Sequence, residues 1–137
     1  MTNAAVARVL GFRGSDLDLV DATRRGLPAR SATMLAEAGG LNVEQLAGAL
    51  GISTRTLARK KAKSKLSSVE SDRAIRLARV LALTLEVFDN EKARAIAWLH
   101  DPIVALGGEA PVEFLDTDAG LRQIEQILLR LEYGGIS

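Results

Sequence analysis

The residues with the clearest potential for chemistry form a run of cations at residues 51–68. This stretch, GISTRTLARKKAKSKLSS, holds six basic side chains and no acidic one, although the chain of 137 residues has a net charge of only +1. Lysine and arginine at this density neutralise the phosphates of a polyanion such as a nucleic acid. The alternative is a basic helix face that is only solvated. The surrounding sequence must decide between the two interpretations.

The composition argues against most other kinds of site. There is no cysteine and one histidine, which disfavours disulfides, thiolate nucleophiles and metal sites built from histidine or thiolate. His100 and Asp101 have the residue types of a general base and its orienting carboxylate, but no activated nucleophile accompanies them. We therefore expect that the protein is not an enzyme and that it uses no cofactor and no metal.

The elements that must position the cations have the spacing of helices. Hydrophobic residues make up 47% of the chain and aromatic residues 4%, so the core must be built mainly from Leu, Ala, Val and Ile. Apolar residues recur with a helical period between capping residues and glycines, and no strand pattern is visible. The predicted fold class is all-α, with an N-terminal helix-turn-helix domain followed by a small helical C-terminal domain.

Residues 43–62 fit the helix-turn-helix motif of DNA-binding proteins. Ala47 is small where the second helix must cross closely, and Gly51 suits a turn that needs an unusual φ. Lys60 departs from the pattern because this position is usually apolar, so Leu66 or the next helix must cover that side. The start of the second helix reaches base edges in such motifs, and later or flanking cations touch phosphates. We predict groove contacts by Ser53, Thr54, Arg55, Thr56 and Arg59, and backbone contacts by Lys60, Lys61, Lys63 and Lys65.

The longest helix is predicted to begin at Ser67 or Ser68 and to extend to about Phe88. It is apolar on nearly all sides between residues 74 and 87, so neighbouring helices or a second chain must cover it. Three arginines form a stripe along it: Arg73, Arg76 and Arg79. The spacing of Asp72 and Arg76 allows ion pairing within the helix, but the stripe can equally extend a DNA-binding surface. The sequence leaves both interpretations open.

The charge is divided unevenly along the chain. Residues 1–85 hold 14 Lys/Arg and 7 Asp/Glu, whereas residues 86–137 hold 4 and 10, so the net charges are +7 and −6. A basic half favours a nucleic-acid partner, and an acidic half favours a protein partner or none. There is no apolar stretch of membrane-spanning length and no signal-like N-terminus, so we expect a soluble cytoplasmic protein without a membrane partner.

The last helix is predicted to be capped by Thr117 or Asp118 and to extend to about Glu132. One face carries Leu121, Ile124, Ile127, Leu128 and Leu131, which predicts their burial. Leu129 falls outside this face and is predicted to be exposed.

Four stretches, taken in order, resemble the Xre/MbcA/ParS-type antitoxins, the partners of RES-domain toxins. They are GLPAR (26–30), ISTRTLARKK (52–61), LSSVESDRAIRLARVL (66–81) and AIAWLHDPIVALGGEAPVEFLDTDAGLRQIEQILLRLEYG (95–134). The resemblance covers about residues 20–137. The family's Phe-Gly pair before the Trp helix is Phe88-Asp89 here, followed by Asn90, a residue type that tolerates a left-handed φ.

The resemblance implies an antitoxin of a type II toxin-antitoxin system. Residues 1–14 would be an N-terminal extension, either disordered or part of a dimer contact, residues 15–85 the helix-turn-helix DNA-binding domain, and residues 86–137 the toxin-binding domain. RES toxins are similar in fold to ADP-ribosyltransferases and consume NAD⁺, and in this family the C-terminal region of the antitoxin obstructs the active-site cleft of the toxin. The antitoxin would also bind operator DNA and repress its own operon, as a homodimer that assembles with toxin into a larger complex.

The C-terminal tail is the segment best suited to enter a toxin cleft. It ends in two glycines, an apolar side chain and a carboxylate, although most termini are simply frayed. The predicted toxin contacts are Leu129, Glu132, Tyr133, Gly134, Gly135, Ile136 and Ser137. Two other interpretations remain open: a toxin-neutralising protein that does not bind DNA, and a stand-alone helix-turn-helix transcription regulator.

Overall fold

The computed structural model describes residues 2–12, 18–61 and 65–134, with Lys61 described only in its backbone. These ranges form eight α-helices and two short 3-10 helices, with isolated β-bridges but no strand. The α-helices are α1 (Asn3–Val9), α2 (Leu19–Arg25), α3 (Arg30–Gly39), α4 (Val43–Leu50), α5 (Thr54–Lys61), α6 (Ser68–Val87), α7 (Lys92–His100) and α8 (Asp118–Tyr133). The 3-10 helices η1 (Val104–Leu106) and η2 (Pro111–Phe114) connect α7 to α8. The all-α prediction is confirmed.

The helix starts follow local capping chemistry. Asn42 caps α4 and Ser67 caps α6, each in a reciprocal capping box with the residue three positions later. Thr117 accepts a hydrogen bond from the Gly120 N–H and begins α8. The caps at Ser67 and Thr117 confirm the predicted starts of the longest helix and the last helix. Asp18 caps α2, where its carboxylate accepts hydrogen bonds from the N–H groups of Val20 and Asp21.

The long helix α6 lies at the centre of the molecule. α1, α2, α3, α4, α7 and α8 all pack against it. Leu77, Ala78 and Leu81 are almost completely inaccessible to solvent, and the buried Thr84 hydroxyl donates to the Val80 carbonyl at 2.7 Å. The prediction that neighbouring helices cover this apolar helix is therefore confirmed.

Helix α1 (Asn3–Val9) is not predicted from the sequence. Val6, Val9 and Leu10 are buried against the rest of the core, and the Ser31 hydroxyl donates to the Leu10 carbonyl at 2.8 Å. α1 spans only two turns, so its apolar period is too short to distinguish it from a loop. The described part of the N-terminal extension is thus packed against the core.

The turn between α6 and α7 contains two consecutive left-handed residues. Asp89 has φ 57° and Asn90 has φ 61°, and the Asn90 N–H donates to the Leu85 carbonyl at 2.7 Å. The turn expected at Phe88-Asp89-Asn90 is therefore present. The helix that follows this turn, α7, begins after Glu91.

Helix α8 extends beyond the elements that cover it. Leu121, Ile124 and Leu128 are buried as predicted. Leu131, predicted to share their buried face, is 46% exposed. The helical period gives the direction of this side chain but not the point at which its packing partners end. None of the helices in the described ranges has the length and apolar character needed to cross a membrane.

Candidate functional site

Helices α4 and α5 form the predicted two-helix motif. α4 ends at Gly51, which has a left-handed φ of 72°, and the Ile52 N–H donates to the Ala47 carbonyl at 3.0 Å. Ala47 and Leu57 are buried at the crossing of the two helices. The small residue and the turn glycine therefore occupy the positions that their steric properties predict.

The start of α5 is organised by two hydroxyl groups. The Ser53 Oγ accepts a hydrogen bond from the Thr56 N–H at 3.0 Å and donates to the Thr56 Oγ1 at 2.9 Å. Ser53 therefore acts as the helix cap, and its hydroxyl also holds the Thr56 hydroxyl at the exposed start of α5.

The outer face of α5 presents two arginines. Arg55 and Arg59 are four residues apart, on one side of the helix, and both are exposed, as is Thr54. Within the described ranges, no hydrogen bond or ion pair engages either guanidinium. The two cations are available to an external anion.

Lys60 has an intramolecular partner. Its Nζ lies 3.3 Å from Oε1 of Glu70 on α6, and the two side chains are 22% and 10% exposed. Leu66 is buried, and its N–H donates to the Leu27 carbonyl at 2.7 Å. The ion pair brings α6 against the side of α5 that Lys60 leaves polar, which is one of the two possibilities that the sequence predicts.

The other predicted phosphate-binding lysines differ in what the structure describes. Lys65 is exposed, in a short antiparallel bridge opposite Pro28. The side chain of Lys61 and the whole of Lys63 lie outside the described residues. Of the four lysines predicted to contact the DNA backbone, only Lys65 is seen as an exposed cation.

Glu70 makes the stability of the protein depend on pH in the acid range. Burial alone would raise the pKa of this carboxyl, but hydrogen bonds from Ser67 and the ammonium of Lys60 outweigh it and lower the pKa below the ordinary 4.5. The unfolded chain therefore takes up this proton at higher pH than the folded chain, so the stabilisation is present above the unfolded pKa and is lost as the pH falls through the folded pKa.

We expect the free energy of unfolding to fall as the pH drops below about 5, and Glu70→Gln to make this fall shallower. Urea unfolding at a series of pH values measures both curves. Glu125→Gln, at an exposed position on α8, is the control for removal of one carboxylate. Equal pH slopes for the wild type and Glu70→Gln would contradict the assignment.

The arginine stripe on α6 is divided among different contacts. Arg73 Nη1 donates to the Leu50 carbonyl at 3.3 Å. Arg76 pairs with Asp72 at 3.1 Å and with Asp118 at 2.9 Å, so the predicted pairing within the helix is confirmed for this residue. Arg79 is exposed and has no partner among the described residues, and its contact with DNA stays a prediction.

The Asp118 carboxylate joins α6 to the first turn of α8. Slight desolvation would raise the pKa of this carboxyl, but the guanidiniums of Arg122 and Arg76 outweigh this effect and hold the pKa below its ordinary value. The charged form of the group is therefore favoured in this position. Arg122 lies 2.9 Å from the carboxylate and Arg76 the same distance on the other oxygen. The start of the last helix is therefore fixed to the long central helix.

The C-terminal end of α8 exposes apolar side chains. Leu129, Leu131 and Tyr133 are 37%, 46% and 75% exposed, and Glu132 beside them is also exposed. The predicted exposure of Leu129 is confirmed. Gly134 is the last described residue, whereas Gly135, Ile136 and Ser137 lie outside the described range. An aromatic residue and two leucines within two turns are typical of the centre of a protein interface.

His100 has a structural role in the described fold. Its Nε2 lies 3.0 Å from the Gly39 carbonyl at the end of α3, while Asp101 ends α7. In the described parts of the chain, no three His, Cys, Asp or Glu side chains are grouped as metal ligands.

Comparison with known proteins gives matches in both halves of the chain. Residues 18–79 match the model of the antitoxin Xre-like helix-turn-helix domain, and residues 84–134 match that of the antitoxin Xre/MbcA/ParS C-terminal toxin-binding domain. An "Antitoxin Xre" of Yersinia enterocolitica is 30% identical over 82% of this chain and 87% of its own length.

Two further relatives are similar over nearly the whole chain. An "Antitoxin Xre" of Photorhabdus laumondii is 28% identical, over 95% of this chain and 89% of its own length. A "Prs ADP-ribosylating antitoxin" of a Sphingobium species is 26% identical, over 92% and 85%. The helix-turn-helix, the C-terminal domain and these relatives together place the chain in the Xre family of antitoxins, as a component of a toxin-antitoxin system with a toxin as its partner.

Proposed function

We propose that this antitoxin neutralises a RES-type, NAD⁺-consuming toxin by binding to it and blocking its active site. The observation that carries the proposal is the exposed apolar end of α8, which lies at the C-terminal end of the segment that matches the toxin-binding domain. An exposed tyrosine and two leucines supply apolar area for a cleft, and the net negative charge of this half favours encounter with a cationic nucleotide-binding site. The protein acts by binding, not by catalysis.

The NAD⁺-consuming class of toxin is supported by the name of one relative. The Sphingobium protein is named for the ADP-ribosylation of Prs. ADP-ribosylation uses NAD⁺ as its donor, so a cleft that holds this dinucleotide is the kind of site to be blocked. The toxin contacts proposed for this chain are Leu129, Glu132, Tyr133, Gly134, Gly135, Ile136 and Ser137.

The second proposed activity is binding to operator DNA and repression of the chain's own operon in the cytoplasm. It is supported by the exposed arginines of α5, which have no partner among the described residues, and by the hydroxyl groups at the start of this helix. Recognition motifs of this kind act in pairs on half-sites about one helical turn apart, so the proposed DNA-binding form is a homodimer. With toxin bound, the dimer would form a larger complex.

Co-expression tests the toxin-binding proposal. The toxin gene is taken from the position adjacent to the antitoxin gene and is induced with or without the full chain. Toxin alone is expected to stop growth and deplete cellular NAD⁺, and the full chain is expected to restore both. An adjacent gene that encodes no toxin, or a toxin whose effect persists with the antitoxin present, would contradict the proposal and favour a stand-alone regulator.

A further inference from the structure

The first turns of α6 hold both helices of the helix-turn-helix. Glu70 and Arg73 are three residues apart and so lie on the same side of α6. Glu70 contacts Lys60 on α5, and Arg73 contacts the Leu50 carbonyl at the end of α4. The two helices whose relative angle defines the motif are therefore each fixed to a third helix.

The contact with α5 is a nearly buried ion pair. Glu70 is only 8% exposed, and its Oε1 accepts the Ser67 N–H at 2.7 Å in addition to Lys60. Loss of one partner from such a pair leaves the other charge without compensation in a poorly solvated site. The pair occupies the position where helix-turn-helix proteins usually have apolar packing, so it replaces a non-directional contact by a directional one.

The contact with α4 acts at the turn. The last carbonyls of a helix lack intrahelical partners and carry partial negative charge, and the Arg73 guanidinium satisfies one of them. A Cβ at position 51 would overlap this guanidinium, so Gly51 provides space for Arg73 in addition to its left-handed φ. The same glycine therefore serves the turn and the contact with α6.

We propose that Glu70 and Arg73 are positioning residues for operator binding: they fix the angle between α4 and α5, and thereby the presentation of Arg55 and Arg59, without touching DNA themselves. The inference rests on the proposed operator binding. It assigns Lys60 to the interior of the protein instead of to the DNA backbone.

A double-mutant cycle tests the α5 contact. The affinity of the full chain for a duplex from the region upstream of its own gene is measured for Lys60→Met, Glu70→Gln and the double variant. Each single change is expected to weaken binding about tenfold, with the double variant no weaker than either single one, because coupled residues are not additive. The slope of log affinity against log salt is expected to stay unchanged.

A direct phosphate contact by Lys60 gives a different result. Lys60→Met then removes one phosphate contact from each protomer of the proposed dimer and lowers the salt slope by about two, with or without Glu70. That outcome would overturn the inference for this residue. So would an affinity equal to the wild-type value in all three variants.

The α4 contact is tested by Arg73→Gln, with Arg76→Gln as the matched control. Arg76 lies one turn further along α6 and pairs with Asp72 and Asp118, not with the helix-turn-helix. Arg73→Gln is expected to weaken operator binding about tenfold at an unchanged salt slope, and Arg76→Gln to leave the affinity within about twofold. A slope lowered by about two in Arg73→Gln, one contact from each protomer of the proposed dimer, would show a phosphate contact and overturn the inference.

Toxin neutralisation separates positioning from a general loss of structure. Glu70→Gln and Arg73→Gln are expected to protect cells from the toxin as well as the wild type does, since α8 does not contact these residues through any described bond. Equal losses of DNA binding and toxin neutralisation would indicate unfolding and overturn the inference. If the double change Arg55→Glu and Arg59→Glu abolishes operator binding but Glu70→Gln and Arg73→Gln do not weaken it, operator binding stands and only the positioning inference fails. If the wild type binds no upstream DNA, both proposals fail.

Discussion

Replacement of both Arg55 and Arg59 by glutamate is expected to abolish binding of the upstream duplex while toxin neutralisation continues. Both side chains are exposed on the outer face of α5, and no hydrogen bond or ion pair joins them to any other described residue. An arginine contact with a base is worth about 1–3 kcal/mol, so loss of two contacts weakens binding at least about 30-fold, and the new carboxylates also repel phosphates. A mobility-shift titration measures the change.

The control for this change in charge is Arg94→Glu. Arg94 is also exposed but lies on α7, over the Phe88 ring at 5.6 Å, and α7 packs on α3, α6 and η2. Its substitution is expected to leave the shift unchanged. A shift that persists in the Arg55/Arg59 variant would contradict the assignment of α5 as the DNA-reading helix, and would favour an antitoxin that only neutralises its toxin.

The wild-type protein should carry the salt dependence of a phosphate-binding surface. With about four cations per protomer, a dimer neutralises about eight phosphates, and log affinity falls with log salt at a slope near −7. The pairing of Lys60 with Glu70 leaves Arg55, Arg59, Lys65 and the flanking lysines to supply these contacts. A slope near zero would exclude this mode of binding.

The second large effect is expected at the end of α8. Leu129→Asp combined with Tyr133→Asp should abolish protection from the toxin, because each change places a carboxylate where apolar area must be desolvated. Truncation of a central aromatic contact alone typically costs 2 kcal/mol or more, so we expect an affinity loss of at least about 100-fold for the pair. Co-purification with the toxin, binding calorimetry and growth on co-expression measure the loss.

Gln123→Asp supplies the matched control, since Gln123 is exposed on the same helix but on a different face. It should retain toxin binding, and both variants should retain the mobility shift and the helical circular dichroism spectrum. Full protection by the Leu129/Tyr133 variant would place the toxin contacts elsewhere on the C-terminal domain and remove the observation on which the proposed function rests.

Local chemistry explains which parts of the fold are predictable from the sequence. The caps at Asn42, Ser67 and Thr117 act within three residues, and Gly51 with Ala47 defines the turn of the helix-turn-helix within one short segment. The prediction fails where the signal is short or distant. α1 has only two turns in which to show a period, and the exposure of Leu131 depends on where its packing partners end.

The candidate sites show the same division. The exposed arginines of α5 follow from the motif alone. The contact of Arg73 with the Leu50 carbonyl joins residues 23 positions apart, and that of Arg76 with Asp118 joins residues 42 positions apart. No single-sequence pattern specifies such pairs, because the side-chain spacing allows both a free cation and a paired one. The structure assigns Arg73 and Arg76 to partners within the chain.

The sharing of α6 by both halves of the protein has a consequence for its lifetime. Buried residues of the helix-turn-helix segment and of the C-terminal segment belong to one hydrophobic cluster, with α6 between them. Small domains with a continuous core usually unfold as one cooperative unit. Under the proposed function, a protease that degrades the unfolded chain therefore removes operator repression and toxin inhibition together. Release of the toxin then coincides with renewed transcription of the operon.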